Sequence, residues 1–186
     1  MQPFEFILVL VSIIIGLGIT EVLATQGRVL RGELRAGLLH TIWSAIVLVL
    51  LVLSFWGLWF LSGREEWSFL HLSAELLPGL LAFMAASLIS PVAVATSDLD
   101  AFLLERRLPF FVILALLHLS YAMEDWLMSG GALDRNAMRG AVILLFALLA
   151  VSRSRRVHLA GACVEAAVLA YFIWSQAATL SGMLGP

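Results

Sequence analysis

Apolar residues in this chain gather in long runs. Six stand out, at residues 4–25, 39–61, 75–96, 108–128, 137–151 and 157–180, each near the roughly 20 residues a helix needs to cross a bilayer. The polar stretches between them are too short to fold as a separate soluble unit. The pattern therefore predicts an all-α fold, a polytopic membrane bundle of about six transmembrane helices forming a single transmembrane domain over residues 1–186. The fifth run is the shortest, and a re-entrant segment there would change the topology.

Composition agrees with the pattern. Of the 186 residues, 62% are hydrophobic and 13% charged, and the mean hydropathy is +1.02. Soluble domains are roughly half apolar and a quarter charged. The formal net charge of −2 says little about partners, because in a membrane protein the position of each charge matters more than the sum. The N-terminus lacks the basic stretch of a secretory signal and its apolar run is too long for one, so it is expected to remain as a first span. The single cysteine, Cys163, allows no intramolecular disulfide.

All 11 basic residues are Arg, and their distribution predicts orientation. Arg28, Arg31, Arg35, Arg106, Arg107, Arg153, Arg155 and Arg156 fall in the first, third and fifth loops, whereas the second and fourth hold Arg64, Arg135 and Arg139. Cytoplasmic loops are enriched in basic residues. Both termini are therefore expected to be non-cytoplasmic, in a multi-pass protein of the bacterial inner (cytoplasmic) membrane. Indoles settle at membrane interfaces. This topology places Trp56, Trp59, Trp67, Trp126 and Trp174 at the outer level and Trp43 at the inner one.

The first and fourth spans each end in acids, in GLGITEVL (Glu21) and SYAMEDWL (Glu124, Asp125). Two inverted three-helix halves are one organisation this admits. FEFILVLVSIIIGLGITEVL, FWGLW, ERRLPFF and SRSRRVH, in this order, resemble a functionally unassigned group of small six-span bacterial integral membrane proteins. The resemblance implies an all-helical membrane fold and carries no activity.

Polar residues inside the runs are the candidates for function. At ~1.5 Å of rise per residue, His118 lies ~15 Å into the fourth span and Glu165 ~12 Å into the sixth, at a shared depth. A carboxylate in mid-membrane costs roughly 2.5 to 3.5 kcal/mol on insertion scales, and such residues mark ion and proton paths. His118, Tyr121 and Asp125 share one helical face, and His158, Glu165, Phe172 and Gln176 mark another. One reading makes these an ion or proton pathway, with Glu165 titrating, His118 pairing or relaying, Tyr121, Glu124 and Asp125 outside them, and Glu21 near the inner end. The other is structural, with a protonated Glu165 hydrogen-bonding a neighbouring helix.

Gly16 and Gly18 suit close helix packing. Pro91 removes a helical hydrogen bond, so SLISPVAVATSD is expected to kink or break, with Ser87 and Ser90 satisfying the freed carbonyls. Pro78 is expected in the first part of its span, where the missing N–H costs nothing. Arg28, Arg31 and Arg35 are expected on one face of a short helical extension. Together with Arg153, Arg155 and Arg156 they suit anionic lipid headgroups at the cytoplasmic face.

No phosphate-cradling loop, zinc helix, cysteine pair or nucleophile elbow is found, so the expectation is a non-enzyme with no metal site and no cofactor. Neither Arg cluster is interleaved with aromatic residues as a nucleic-acid surface would be. The reading is an ion- or proton-linked transporter or channel. Its alternative is a non-transporting sensor, scaffold or assembly subunit, and under either reading a homo-oligomer or a membrane-protein partner is compatible with the sequence.

Overall fold

The computed structural model describes residues 3–61, 67–91, 98–129 and 133–183. Among these the fold is all-helical: α1 (Pro3–Leu30), α2 (Leu38–Gly57) running into a 3-10 turn (Leu58–Leu61), α3 (Phe69–Ile89), the short α4 (Leu99–Glu105), α5 (Arg107–Ser129), α6 (Leu133–Val151) and α7 (Arg155–Met183). Five helices, α1, α2, α3, α5 and α7, are long and apolar enough to cross a membrane. The apolar part of α6, Asn136–Val151, is shorter. The chain is an integral membrane protein.

The helices end where local chemistry stops them. After α1, Glu33 N–H donates to the Arg28 carbonyl and Gly32 N–H to the Val29 carbonyl, both at 3.0 Å. This is a Schellman closure, and it needs the left-handed backbone that Gly32 supplies. Arg31 and Arg35 therefore do not continue a helix, contrary to the expected extension. At the start of α3 the Ser68 hydroxyl accepts from His71 N–H, an N-cap that the apolar run does not reveal. The third helix consequently begins at Phe69 rather than 75, which carries Glu75 about 9 Å inside it and makes Pro78 an interior proline. The ring at Pro78 removes the bond its N–H would give to the Ala74 carbonyl. The same helix stops at Ile89, two residues before Pro91, so the expected break is real.

The inward faces follow the helical repeat. Ile7, Val11, Ile15 and Val22 of α1 and Leu39, Trp43, Ile46, Val47, Leu50 and Leu51 of α2 are buried. Ala74, Ala82, Ala85 and Ala86 give α3 a slim inner face, and α3 packs against α1, α2 and α5. At Gly18 a Cβ would sit 2.9 Å from a Leu51 methyl and 3.4 Å from the Phe83 backbone, so the glycine lets α2 and α3 approach closely, and a side chain there would displace the end of Leu51. At Gly16 nothing lies within 4 Å, and the expected packing role does not hold within the chain. In the second half, α6 packs along α5 and meets α7, which also packs on α2. The closest packing joins α1 to α3 in the first half and α5 to α6 in the second, so the two halves are not packed alike.

Outward faces are apolar, as lipid requires. Ile13, Leu144 and Trp174 are more than half exposed, and so are Trp59 and Trp126. Trp43, near the start of α2, does not face outward like these. It is fully buried in the core among Phe110, Phe111 and Phe146.

Candidate functional site

The structure brings His118 of α5 and Glu165 of α7 together. His118 Nε2 lies 3.3 Å from Glu165 Oε1, and the Glu165 side chain is completely buried. The distance is that of an ion pair, yet neither Nε2 nor either carboxylate oxygen has an aligned hydrogen bond from another described group. The two groups are thus in contact without a directed hydrogen bond between them. The shared depth expected from the sequence holds, since each residue lies near the middle of its helix.

Two further contacts extend from the pair along α5, away from the Arg-rich end. The Tyr121 hydroxyl and Ser54 Oγ of α2 share a hydrogen bond of 2.6 Å, while Ser54 Oγ donates to its own helix at the Leu50 carbonyl. The Tyr121 and His118 rings meet edge to face at 6.1 Å. Further along, Asp125 Oδ2 stands 3.4 Å from an Arg139 nitrogen on α6, so Arg139 belongs to a contact that the sequence does not announce. Glu124 is half-buried beside it in sequence. The remaining pathway candidate, Glu21, is exposed on α1 and is not brought to the pair. His158 is fully buried with Glu165 on α7, and Phe172 is half-buried. The Gln176 side chain lies outside the described residues.

Towards the Arg-rich end an aromatic layer follows. Phe146 packs on His118 at 5.2 Å and Phe111 on His158 at 5.1 Å. The Phe111 and Phe146 rings stack at 6.1 Å, with Trp43 edge-on to Phe111 at 4.9 Å. Edge-on and offset arrangements of this kind are the favoured ones for aromatic rings. The layer occupies the space between His158 and His118.

Beyond it lies a second polar cluster, centred on Asp100 of α4. Helix α2 begins with Gly37, which has no side chain to cap it. Asp100 Oδ1 takes that role from another helix, accepting the His40 N–H at 2.8 Å. A Cβ at Gly37 would overlap the Asp100 carboxylate, so only glycine admits it. Asp100 Oδ2 lies 2.7 Å from an Arg155 nitrogen at the start of α7, a charge contact outside hydrogen-bond alignment. His40 Nε2 donates to the Ile89 carbonyl at 2.9 Å and Arg28 donates to the Pro91 carbonyl at 2.9 Å. These two groups, rather than Ser87 and Ser90, serve the broken end of α3. The break faces His40.

The Arg residues expected at lipid headgroups thus have different surroundings. Arg28 is half-buried and structural, and Arg155 is held by Asp100. Arg31 hydrogen-bonds Glu33, and this bond holds the exposed Glu33 carboxyl below the ordinary carboxylate range. Arg35 is exposed, its carbonyl accepting the Leu99 N–H at 3.0 Å. Arg153 and Arg156 are exposed. Among the described residues no group of three or more His, Cys, Asp or Glu side chains is placed to hold a metal ion.

Two buried acids escape the sequence reading, Glu75 and Asp100. The apolar run sets Glu75 at a span end, and the Ser68 cap is the signal that moves it inward. Asp100 lies in a short helix between spans, where only the uncapped Gly37 hints at a need for a carboxylate. No protein-family model, no curated protein and no solved structure matches the chain.

Proposed function

We propose that this is a proton-linked transporter or channel of the bacterial cytoplasmic membrane, with the His118–Glu165 pair as its proton-binding site. The observation that supports this most is a completely buried carboxylate, 3.3 Å from an imidazole, in the middle of two membrane helices. Intramembrane ionisable residues of this kind mark proton relays. With one proton between them the pair is neutral overall, and with two it carries one positive charge, so uptake and release change the local charge by one unit. One carboxylate and one imidazole form a donor set suited to a proton, whereas a desolvated Ca²⁺ takes about six to eight oxygen ligands. Tyr121, Ser54, Asp125 and Arg139 would line the approach from the outer side.

In this reading α6 also crosses the membrane, giving six spans and two non-cytoplasmic termini. Its support is that α6 meets Asp125 through Arg139 near one end of α5 and His118 through Phe146 in the middle. It then leads into Ser152, whose carbonyl accepts from His158 Nε2 at 3.0 Å.

A second reading, a non-transporting sensor or scaffold, is favoured by the aromatic layer, which separates the pair from the Arg-rich end. Two variants distinguish them. Glu165→Gln keeps the shape but cannot ionise. If the pair carries protons, it should leave the protein folded and abolish pH-driven flux in liposomes. If the pair is only structural, Gln should match the parent in thermal stability while Glu165→Leu lowers it. A parent without proton flux, combined with that stability ordering, would end the transport reading.

A further inference from the structure

The pair at mid-membrane and the buried His158 are separated by about 10 Å along α7, roughly two turns of helix. That interval is filled by rings from three other helices: Trp43 of α2, Phe110 and Phe111 of α5, and Phe146 of α6. Two polar atoms at the layer are left without described partners, the Trp43 Nε1–H and His158 Nδ1. A fully buried donor without an acceptor bears its whole desolvation cost. Unsatisfied groups of this sort invite a functional account.

Near the Arg-rich end, α2 and α7 share one carboxylate. Asp100 caps α2 through His40 N–H and contacts Arg155 at the first residue of α7. One carboxylate thus ties the start of the helix carrying Trp43 to the start of the helix carrying His158 and Glu165. Arg155 is more than half exposed. Its grip is screened by water and salt, and is weak enough to be overcome in a working cycle.

We propose that the Trp43, Phe110, Phe111 and Phe146 layer is a gate on the Arg-rich side of the His118–Glu165 pair, latched by the Asp100–Arg155 contact. When the latch parts, α7 moves away from the rings of α2, α5 and α6 that pack beside it, and the pair gains access to His158 and the aqueous phase beyond. The proposal rests on the proton-binding reading only in naming what the gate controls.

Ala162 lies between His158 and Glu165 on α7 and is fully buried, so a cysteine there reports on the layer itself. In a Cys163→Ser background, which removes the exposed native thiol, Ala162→Cys is treated with a membrane-impermeant thiol reagent applied separately to each side of sealed vesicles. Labelling needs water and thiolate at the site. With the latch intact it should be slow from both sides. Adding Arg155→Gln should speed labelling from the Arg-rich side about two- to fivefold, as a half-exposed ion contact allows, and leave the opposite side unchanged, while Arg155→Lys should restore the slow rate. Equal rates with and without Arg155→Gln overturn the gate. A rise from both sides also overturns it, because that signals general loosening. Since labelling does not depend on proton traffic, a Glu165→Gln variant with unaltered flux would retire the proton reading and leave this result standing.

Discussion

Gly37→Ala offers a sharp test of how α2 is started. The Gly37 backbone, at φ −84° and ψ 174°, is open to any residue, so alanine introduces no backbone strain. Its cost comes wholly from the new Cβ, which would overlap Oδ2 and Cγ of Asp100 and stand 2.6 Å from Oδ1. The carboxylate must withdraw. It then loses the His40 N–H, an N-cap bond worth about 1 kcal/mol, and its contact with the half-exposed Arg155, worth up to about 1 kcal/mol. Residual crowding adds to this, and the expected loss is about 1–3 kcal/mol.

The informative measurement is a double-mutant cycle, read by reversible unfolding in mixed micelles. Asp100→Ala alone removes the cap and the ion contact, for about 1–2 kcal/mol. Once that carboxylate is gone, Gly37→Ala has little to collide with. The double variant should therefore be no less stable than the worse single one, with a coupling of about 1 kcal/mol or more. Strictly additive losses would show that Asp100 does not occupy the space above Gly37, and the capping account would fall with them.

Valine at Gly18 should crowd Leu51 and press its added methyls toward α3, at a cost of about 1–3 kcal/mol, whereas valine at Gly16, with nothing within 4 Å, should change thermal stability little. Tyr121→Phe removes one hydrogen bond to Ser54, which keeps its bond to Leu50. One such bond is worth about 1 kcal/mol net, and unfolding of the variant should show a loss of that order. The Glu33 carboxyl is held below its ordinary range by the bond from Arg31. The turn's ionic contact should be fully formed above the ordinary glutamate range and lost as pH falls through the lowered value, which a carboxyl-carbon NMR titration would follow, with Arg31→Gln moving the midpoint back up. A reporter active only in the cytoplasm, fused after Pro186, should stay silent, and strong activity would reverse the orientation read from the Arg distribution.

The sequence reveals those features that depend on spacing along one helix. Apolar run length marks the helices, because a membrane span must satisfy its backbone internally. Pro91 marks the break in α3, because its missing N–H acts locally. The shared depth of His118 and Glu165 is legible for the same reason, since rise per residue is fixed. Partners set by packing between distant segments are not legible. Nothing local in the LDAFLLE stretch says that Asp100 will cap a helix far back in the chain, and nothing around Trp43 says that its ring will turn inward onto Phe110, Phe111 and Phe146. Those outcomes depend on how α2, α4, α5 and α7 converge.

The polar contacts of the interior differ in quality, and the difference bears on function. Around the broken end of α3, His40 and Arg28 make directed bonds of 2.9 Å, and Tyr121 and Ser54 meet at 2.6 Å. Each satisfies a polar group that would otherwise be costly in lipid, and each holds a particular helix junction. The pair at mid-membrane is of another kind, as are the Asp100–Arg155 contact and the unpartnered Trp43 Nε1 and His158 Nδ1. Glu165 is wholly buried, close to His118, and without an aligned bond on either oxygen. A clasp selected only for stability would lose little by becoming apolar, because replacing a buried pair by well-packed hydrophobic residues is often neutral or stabilising. A proton site, by contrast, needs a carboxylate whose two protonation states are not fixed by strong directional bonds to one of them. If the pair is the proton site proposed above, its two groups exchange a proton without a third described partner holding either state in place.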